Sequence, residues 1–114
     1  MKISQRYEKG TDIFYIEGSF SAMNDRNNTL LLDAASNPAL GNIVLNLAET
    51  ELIDSSGVGL LISIHKKVTR HGAKLAICSI PENVNALFLL TGLSNIFNTF
   101  QTEEEALASF SHPK

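Results

Sequence analysis

From residue 42 onward the sequence alternates apolar runs of strand length with longer segments of helical length, and this alternation narrows the possible folds more than any other feature. "NIVLNLAET", starting at Asn42, is a continuous apolar run of the kind a strand shows when both its faces are covered. Val58 to Arg70 is long enough for a helix, and His71-Gly72 closes it with a cation followed by the residue best suited to a left-handed stop. "AKLAICSI" (73–80) is a second buried-type strand. Pro81 suits the first turn of a helix through "ENVNALFLLTG", with Gly92 as its terminator. "NIFNTF" (95–100) reads as the last strand, and Thr102 with Glu105 forms a capping box for "EEEALASF". Strand, helix, strand, helix, strand, helix in that order implies parallel pairing through right-handed crossovers.

Upstream, "KISQRYE" (2–8) and "DIFYIEGSF" (12–20) flank Gly10-Thr11 as an antiparallel hairpin. Between hairpin and first crossover, residues 24–37 carry Leu30, Leu31 and Ala34 near helical spacing, and Asn37-Pro38 stops that helix. The expectation is an α/β fold: one domain over residues 1–111, a small mixed β-sheet with parallel βαβ units and helices packed against it, then a disordered tail at 112–114. A chain of 114 residues, 44% hydrophobic, can bury a core of that size without disulfides or a structural metal.

Several function classes fall away. A formal charge of −3 offers no basic stripe to neutralise phosphates, which argues against nucleic acid as a partner. The start "MKISQRYEKG" lacks an apolar signal region and no run approaches the ~20 residues of a membrane span, so no membrane insertion and a cytoplasmic location are expected. The lone Cys78 sits inside "LAICSI" and reads as a core thiol. His65, His71 and His112 have neither the spacing nor the neighbours of a metal site, and no metal or other cofactor is expected. Gly57-Val58-Gly59 lacks the third glycine of a dinucleotide fingerprint, and neither a phosphate-cradling GxxxxGK[ST] loop nor Gly-x-Ser-x-Gly occurs. His65 would stand about three helical turns, roughly 15 Å, beyond Ser55, too far to activate it as a nucleophile. The chain does not read as an enzyme.

What remains is Asp54-Ser55-Ser56-Gly57, placed between a strand and an apolar helix. One serine suffices to cap a helix, and a cap is worth ~1 kcal/mol. Capping leaves Gly57 and Gly59 unexplained, since each costs ~0.5–1 kcal/mol inside a helix. Two weak positions at a helix start suggest that something approaches the backbone closely. The helix itself places Val58, Leu61, Ile62 and His65 on one face and Leu60 and Ile64 on another, so one face packs on the sheet and the other is either a partner surface or covered by a neighbouring helix. Lys66, Lys67 and Arg70 make a basic last turn that complements the helix dipole.

The run "NIVLNLAETELIDSSGVGLL", followed by "GAKLAICSI" and "TGLSNIF", resembles the STAS domain of bacterial anti-sigma factor antagonists over nearly the whole chain. The resemblance implies a phospho-switch. The unphosphorylated protein binds a serine-protein kinase that doubles as anti-sigma factor, phosphorylation of the serine after the aspartate releases it, and a metal-dependent serine phosphatase resets it. Carried over, the acceptor is Ser55, with Ser56 as the competing site. The implied partner-binding set is Ser21, Asp25, Asp54, Ser55, Ser56, Gly57, Val58, Gly59 and Leu61, on a monomer or weak dimer. The same parts could serve a non-sigma output such as biofilm formation or secretion, or a lipid-transporter subunit that never carries phosphate. Relatives often have an aspartate where this chain has Ser21, which leaves Ser21 or Asp25 to take over that role.

Overall fold

The computed structural model describes residues 1–21, 26–37 and 41–110. Strands β1 (Lys2–Glu8) and β2 (Thr11–Phe20) form the antiparallel hairpin, with Lys2 opposite Glu17 and Glu8 opposite Thr11. Lys9 and Gly10 turn the chain with φ of 49° and 81°. Positive φ at both central residues is what a two-residue turn matched to strand twist demands.

β2 is the pivot of the sheet. Its first half, Thr11 to Tyr15, runs parallel to β3 (Asn42–Asn46), and beyond an irregularity at Gly18/Ser19 its end runs parallel to β4 (Thr50–Ile53). β5 (Leu75–Cys78) pairs parallel with β3, and β6 (Asn98–Phe100) with β5, giving the order β1-β2-β3-β5-β6. The mixed sheet expected from the sequence is present, with one strand more than the pattern announced. The apolar run from Asn42 breaks because Asn46 Oδ1 accepts from the Ala48 backbone N–H at 2.9 Å, and Thr50 N–H then donates to Leu47 O at 3.0 Å. An asparagine side chain that satisfies the backbone two residues on is a turn device.

Among the described residues four helices complete the fold: α1 (Asn27–Ser36), α2 (Ser55–Arg70), α3 (Glu82–Thr91) and α4 (Glu103–Ser109). α2 starts three residues before the expected Val58. Pro81 caps α3 from outside, and Gly92 ends it at φ 77°. The last strand is shorter than expected, since Leu93–Asn95 winds into a 3-10 turn and the N–H groups of Ile96 and Phe97 both point back to Leu93 O. The expected capping box is formed: Thr102 Oγ1 accepts from Glu105 N–H at 3.1 Å, and Glu105 Oε1 from Thr102 N–H at 3.4 Å. The tail at 112–114 lies outside the described residues.

α1, α2 and α3 contribute Leu31, Leu60, Leu61, Ile64 and Phe88 to one core with Phe14, Ile16, Ile43, Leu45 and Ile77 of the sheet. α4 covers the other face, where Ala106 meets Ile13, Val44, Ala76 and Cys78. Coverage on both faces is why β3 and β5 read as unbroken apolar runs. Cys78 is fully buried, and burial pushes its thiol up to about 11, so it serves the core. The Arg6 guanidinium ties α4 to the hairpin by bonding Glu8 and Glu103 together.

Candidate functional site

The end of β2 and the start of α2 meet at the upper edge of the sheet. Asp54 N–H donates to Phe20 O at 3.4 Å, so the residue that closes β4 is anchored on the last residue of β2. Asp54 is extended, at φ −97° and ψ −179°, and Oδ1 accepts from the Gly57 N–H at 2.8 Å and from Ser56 Oγ at 2.6 Å. The helix cap is therefore Asp54, and the expectation that a serine does this work is corrected. Aspartate is as good a cap as serine, and its charge suits the positive end of the helix.

Each serine then has a different position. Ser55 is the first residue inside α2, exposed, and its hydroxyl makes no hydrogen bond among the described residues. Ser56 is half-buried, bound to Asp54 and 3.1 Å from Ser21 Oγ, which reaches across from the end of β2. The hydroxyls of Ser56 and Ser21, followed by the Gly57 N–H, hold the Asp54 carboxyl down at about 2. This corner is thus an ionised carboxylate fixed by three donors, with one exposed hydroxyl beside it.

The glycines separate as well. A Cβ on Gly57 would stand 2.0 Å from Phe20 O and 2.9 Å from its carbonyl carbon, so the close approach foreseen from the sequence is that of α2 to the protein's own β2. Gly59 is exposed and a Cβ there would meet nothing within 4 Å. Val58 is half-buried beside it. Leu61 is 0% exposed, packed in the main core, and its place in the partner-binding set is a correction: Leu60, Leu61, Ile64 and Val68 together form the sheet-facing side of α2. Asp25 lies outside the described residues. Thus Ser21, Asp54 and Ser56 are in contact, Ser55, Val58 and Gly59 stand on the adjoining first turns of α2, and Leu61 is withdrawn beneath them.

His65 packs its ring edge-on to Phe97, with centroids 5.3 Å apart. Among the described residues no cluster of three metal-ligating side chains occurs, and no helix is long and apolar enough to cross a membrane. Outside the residues singled out from the sequence, three leucines are exposed, Leu52 on β4 and Leu89 and Leu90 on α3, two elements tied by Asn83 Nδ2 donating to Glu51 O at 2.7 Å. The signal was available: four consecutive apolar residues, Leu87 to Leu90, cannot all face the core in one helix.

The carboxylate predicts a pH dependence. Its folded-state value of about 2 lies below the ordinary 3.8, so its contribution to stability is complete above the ordinary value and lost as pH falls from 3.8 toward 2. Asp54→Asn keeps a capping oxygen but does not titrate. In urea unfolding across this range, the stability gap between wild type and Asp54→Asn should close as pH falls. A gap that does not change with pH would show that Asp54 is not held ionised by these donors.

Comparison with known proteins follows the same lines. The STAS domain family model matches residues 3–106. The anti-sigma F factor antagonist of Paenibacillus polymyxa is 32% identical over 66 residues, which cover 58% of this chain and 56% of that relative, little more than half its length. A Thermotoga maritima protein, a candidate anti-sigma factor antagonist, has a crystal structure similar to this one with a TM-score of 0.85 at 24% identity, over 96% of this chain and 95% of that one. The Bacillus cell fate determinant SpoIIAA, solved in its phosphorylated form, gives 0.73 at 19% identity, over 96% and 99%. At such identities the two structures speak for the fold. With the family match running from within β1 into α4, the chain belongs to the STAS domain family.

Proposed function

We propose that this domain is an anti-sigma factor antagonist that works as a phospho-switch with Ser55 as its acceptor. The unphosphorylated form binds a serine-protein kinase that is also the anti-sigma factor, phosphorylation of Ser55 ends that binding, and a metal-dependent serine phosphatase restores it. The protein itself catalyses nothing in this cycle. The observation that carries the reading is the contrast between the two serines: Ser55 is exposed and unengaged among the described residues, while Ser56 is half-buried and bound to Asp54. The name of the Paenibacillus relative and the phosphorylated form of the Bacillus one support the same reading.

The chemistry is consistent with a switch that spares the fold. A phosphate adds −1.5 to −2 charge, roughly, and at the first residue of a helix it sits where the dipole favours an anion. Beside Asp54 it makes a local charge of about −3, enough to turn an attractive contact with a partner into a repulsive one. Gly59 leaves the second turn of α2 bare, so a partner can lie close to the helix there. The test is incubation with each serine-kinase anti-sigma factor encoded in the source genome, magnesium and labelled ATP, followed by mass mapping. Phosphate on Ser55 is the expected result; phosphate confined to Ser56, or none from any of these kinases, would overturn the reading, the latter favouring a subunit that never carries phosphate.

A further inference from the structure

We propose that the outer edge of β1 is a docking strand for a second copy of this chain, the two β1 strands pairing antiparallel about a two-fold axis at Gln5 and joining two sheets into one. The inference does not depend on the phospho-switch.

The sheet order β1-β2-β3-β5-β6 has two ends. One is protected by its brevity, since β6 is three residues long, Asn98–Phe100. At the other end β1 runs for seven residues, Lys2–Glu8, in unbroken register with β2 and with neither a proline nor a bulge. A long, regular edge carries a row of unpaired backbone groups onto which another strand can add. The hairpin decides which residues own that row. Glu8 and Thr11 flank the two-residue turn and exchange both of their backbone hydrogen bonds with each other, and along an antiparallel pair such residues alternate with ones that face away. Lys2, Ser4, Arg6 and Glu8 therefore turn their N–H and C=O groups toward β2, while Ile3, Gln5 and Tyr7 turn theirs outward. Among the described residues no strand meets them.

The occupant follows from the sequence of the strand itself, KISQRYE. Outward groups meet outward groups only when odd-numbered residues pair with odd-numbered ones, so the allowed registers differ by steps of two residues. With Gln5 opposite Gln5 of the second copy, Lys2 stands opposite Glu8, Ile3 opposite Tyr7 and Ser4 opposite Arg6. Unlike charges meet, apolar residues meet, and no like charges face each other. A shift of two residues one way sets Lys2 against Arg6, and the other way sets Arg6 against Arg6. Like charges directly opposite destabilise a strand pair. The charge pattern thus selects one register and makes the strand complementary to itself. It also gives Tyr7 a place: 65% exposed in the single chain, it falls beside Ile3 of the second copy, and Ile3 already packs against the main core. Ile3, Gln5 and Tyr7 each exchange two backbone hydrogen bonds across the seam. A single strand pair buries less than a standard interface, so the dimer is weak, with a Kd on the order of 100 µM.

The experiment uses the intact protein and three variants, Lys2→Glu, Glu8→Lys and Tyr7→Pro, each checked by thermal unfolding. Sedimentation equilibrium of the wild type up to about 1 mM should show monomer and dimer in exchange. Over the same range, amide exchange followed by NMR should slow at Ile3, Gln5 and Tyr7. Lys2→Glu and Glu8→Lys each place like charges at both ends of the seam and should weaken self-association about tenfold. Mixed in equal amounts, each variant supplies the charge that the other lacks, and association should return toward the wild-type level. Tyr7→Pro removes an outward N–H, which an edge strand tolerates, and should abolish the dimer while keeping the fold. Should Tyr7→Pro fail to fold, the charge variants and their mixture decide alone. A wild type that stays monomeric up to that concentration overturns the proposal, as does a dimer in which the three amides exchange at an unchanged rate, since it would use another face. A mixture no more associated than its two components overturns the antiparallel register and the self-complementarity on which the proposal stands.

Discussion

Gly57→Ala should destabilise the domain by about 3 kcal/mol, while Gly59→Ala, two residues further along the same helix, should stabilise it by about 0.5–1 kcal/mol. At Gly57 the added methyl would lie 2.0 Å from Phe20 O and 3.1 Å from Ile53 Cγ2. The nearer neighbour is a backbone carbonyl in the middle of the sheet's end, which cannot swing aside as a side chain would, so relief requires α2 to lift from β2. That places the cost at the upper end of the range for overpacking. At Gly59 the methyl meets nothing within 4 Å, and alanine gains what glycine loses in helix entropy. Thermal unfolding should show a midpoint lower by roughly 10 °C for Gly57→Ala and higher by a few degrees for Gly59→Ala. Equal effects at the two positions would mean that α2 does not rest on Phe20 as described. Gly59→Ala carries a second expectation, because a partner that lies against the bare turn should bind the more stable variant less well.

The two glycines also mark how far the sequence could be read. Both looked like positions of close backbone approach, and only the packing of α2 on β2 tells that one is fitted to the fold and the other left open. The hairpin and the parallel core were legible because "DIFYIEGSF", "NIVLN" and "LAIC" carry apolar residues on faces that the structure covers. β4 was not, because the break before it depends on one side chain, Asn46, which turns the backbone inside an otherwise continuous apolar run. The start of α2 is ambiguous in the sequence because Asp54, Ser55 and Ser56 are all good caps, and it is Asp54 that caps the helix. Leu61 stands in the expected partner-binding set because α2 carries apolar residues on two faces, and helical periodicity alone does not say which of them meets the sheet. Ser21 entered through family resemblance, and its contact with Ser56 depends on the two elements meeting in three dimensions.

The correction of the cap simplifies the test of the switch. Since Asp54 caps α2, Ser55→Ala removes only an exposed hydroxyl and should leave stability within a few tenths of a kcal/mol. Ser55→Asp puts a negative charge on the first helical residue, where the dipole favours it by ~0.3–1 kcal/mol, so its fold should be at least as stable as the wild type. Stability and affinity are then expected to move in opposite directions. The most direct measurement is the affinity of the labelling kinase for wild type, Ser55→Ala and Ser55→Asp, each checked by thermal unfolding. The account predicts that Ser55→Ala binds like the wild type but takes up no phosphate, and that Ser55→Asp, fully folded, binds at least about tenfold more weakly, a single charge reproducing part of the effect of phosphate. Ser55→Asp binding as tightly as the wild type while fully folded would contradict a switch that works by charge at Ser55.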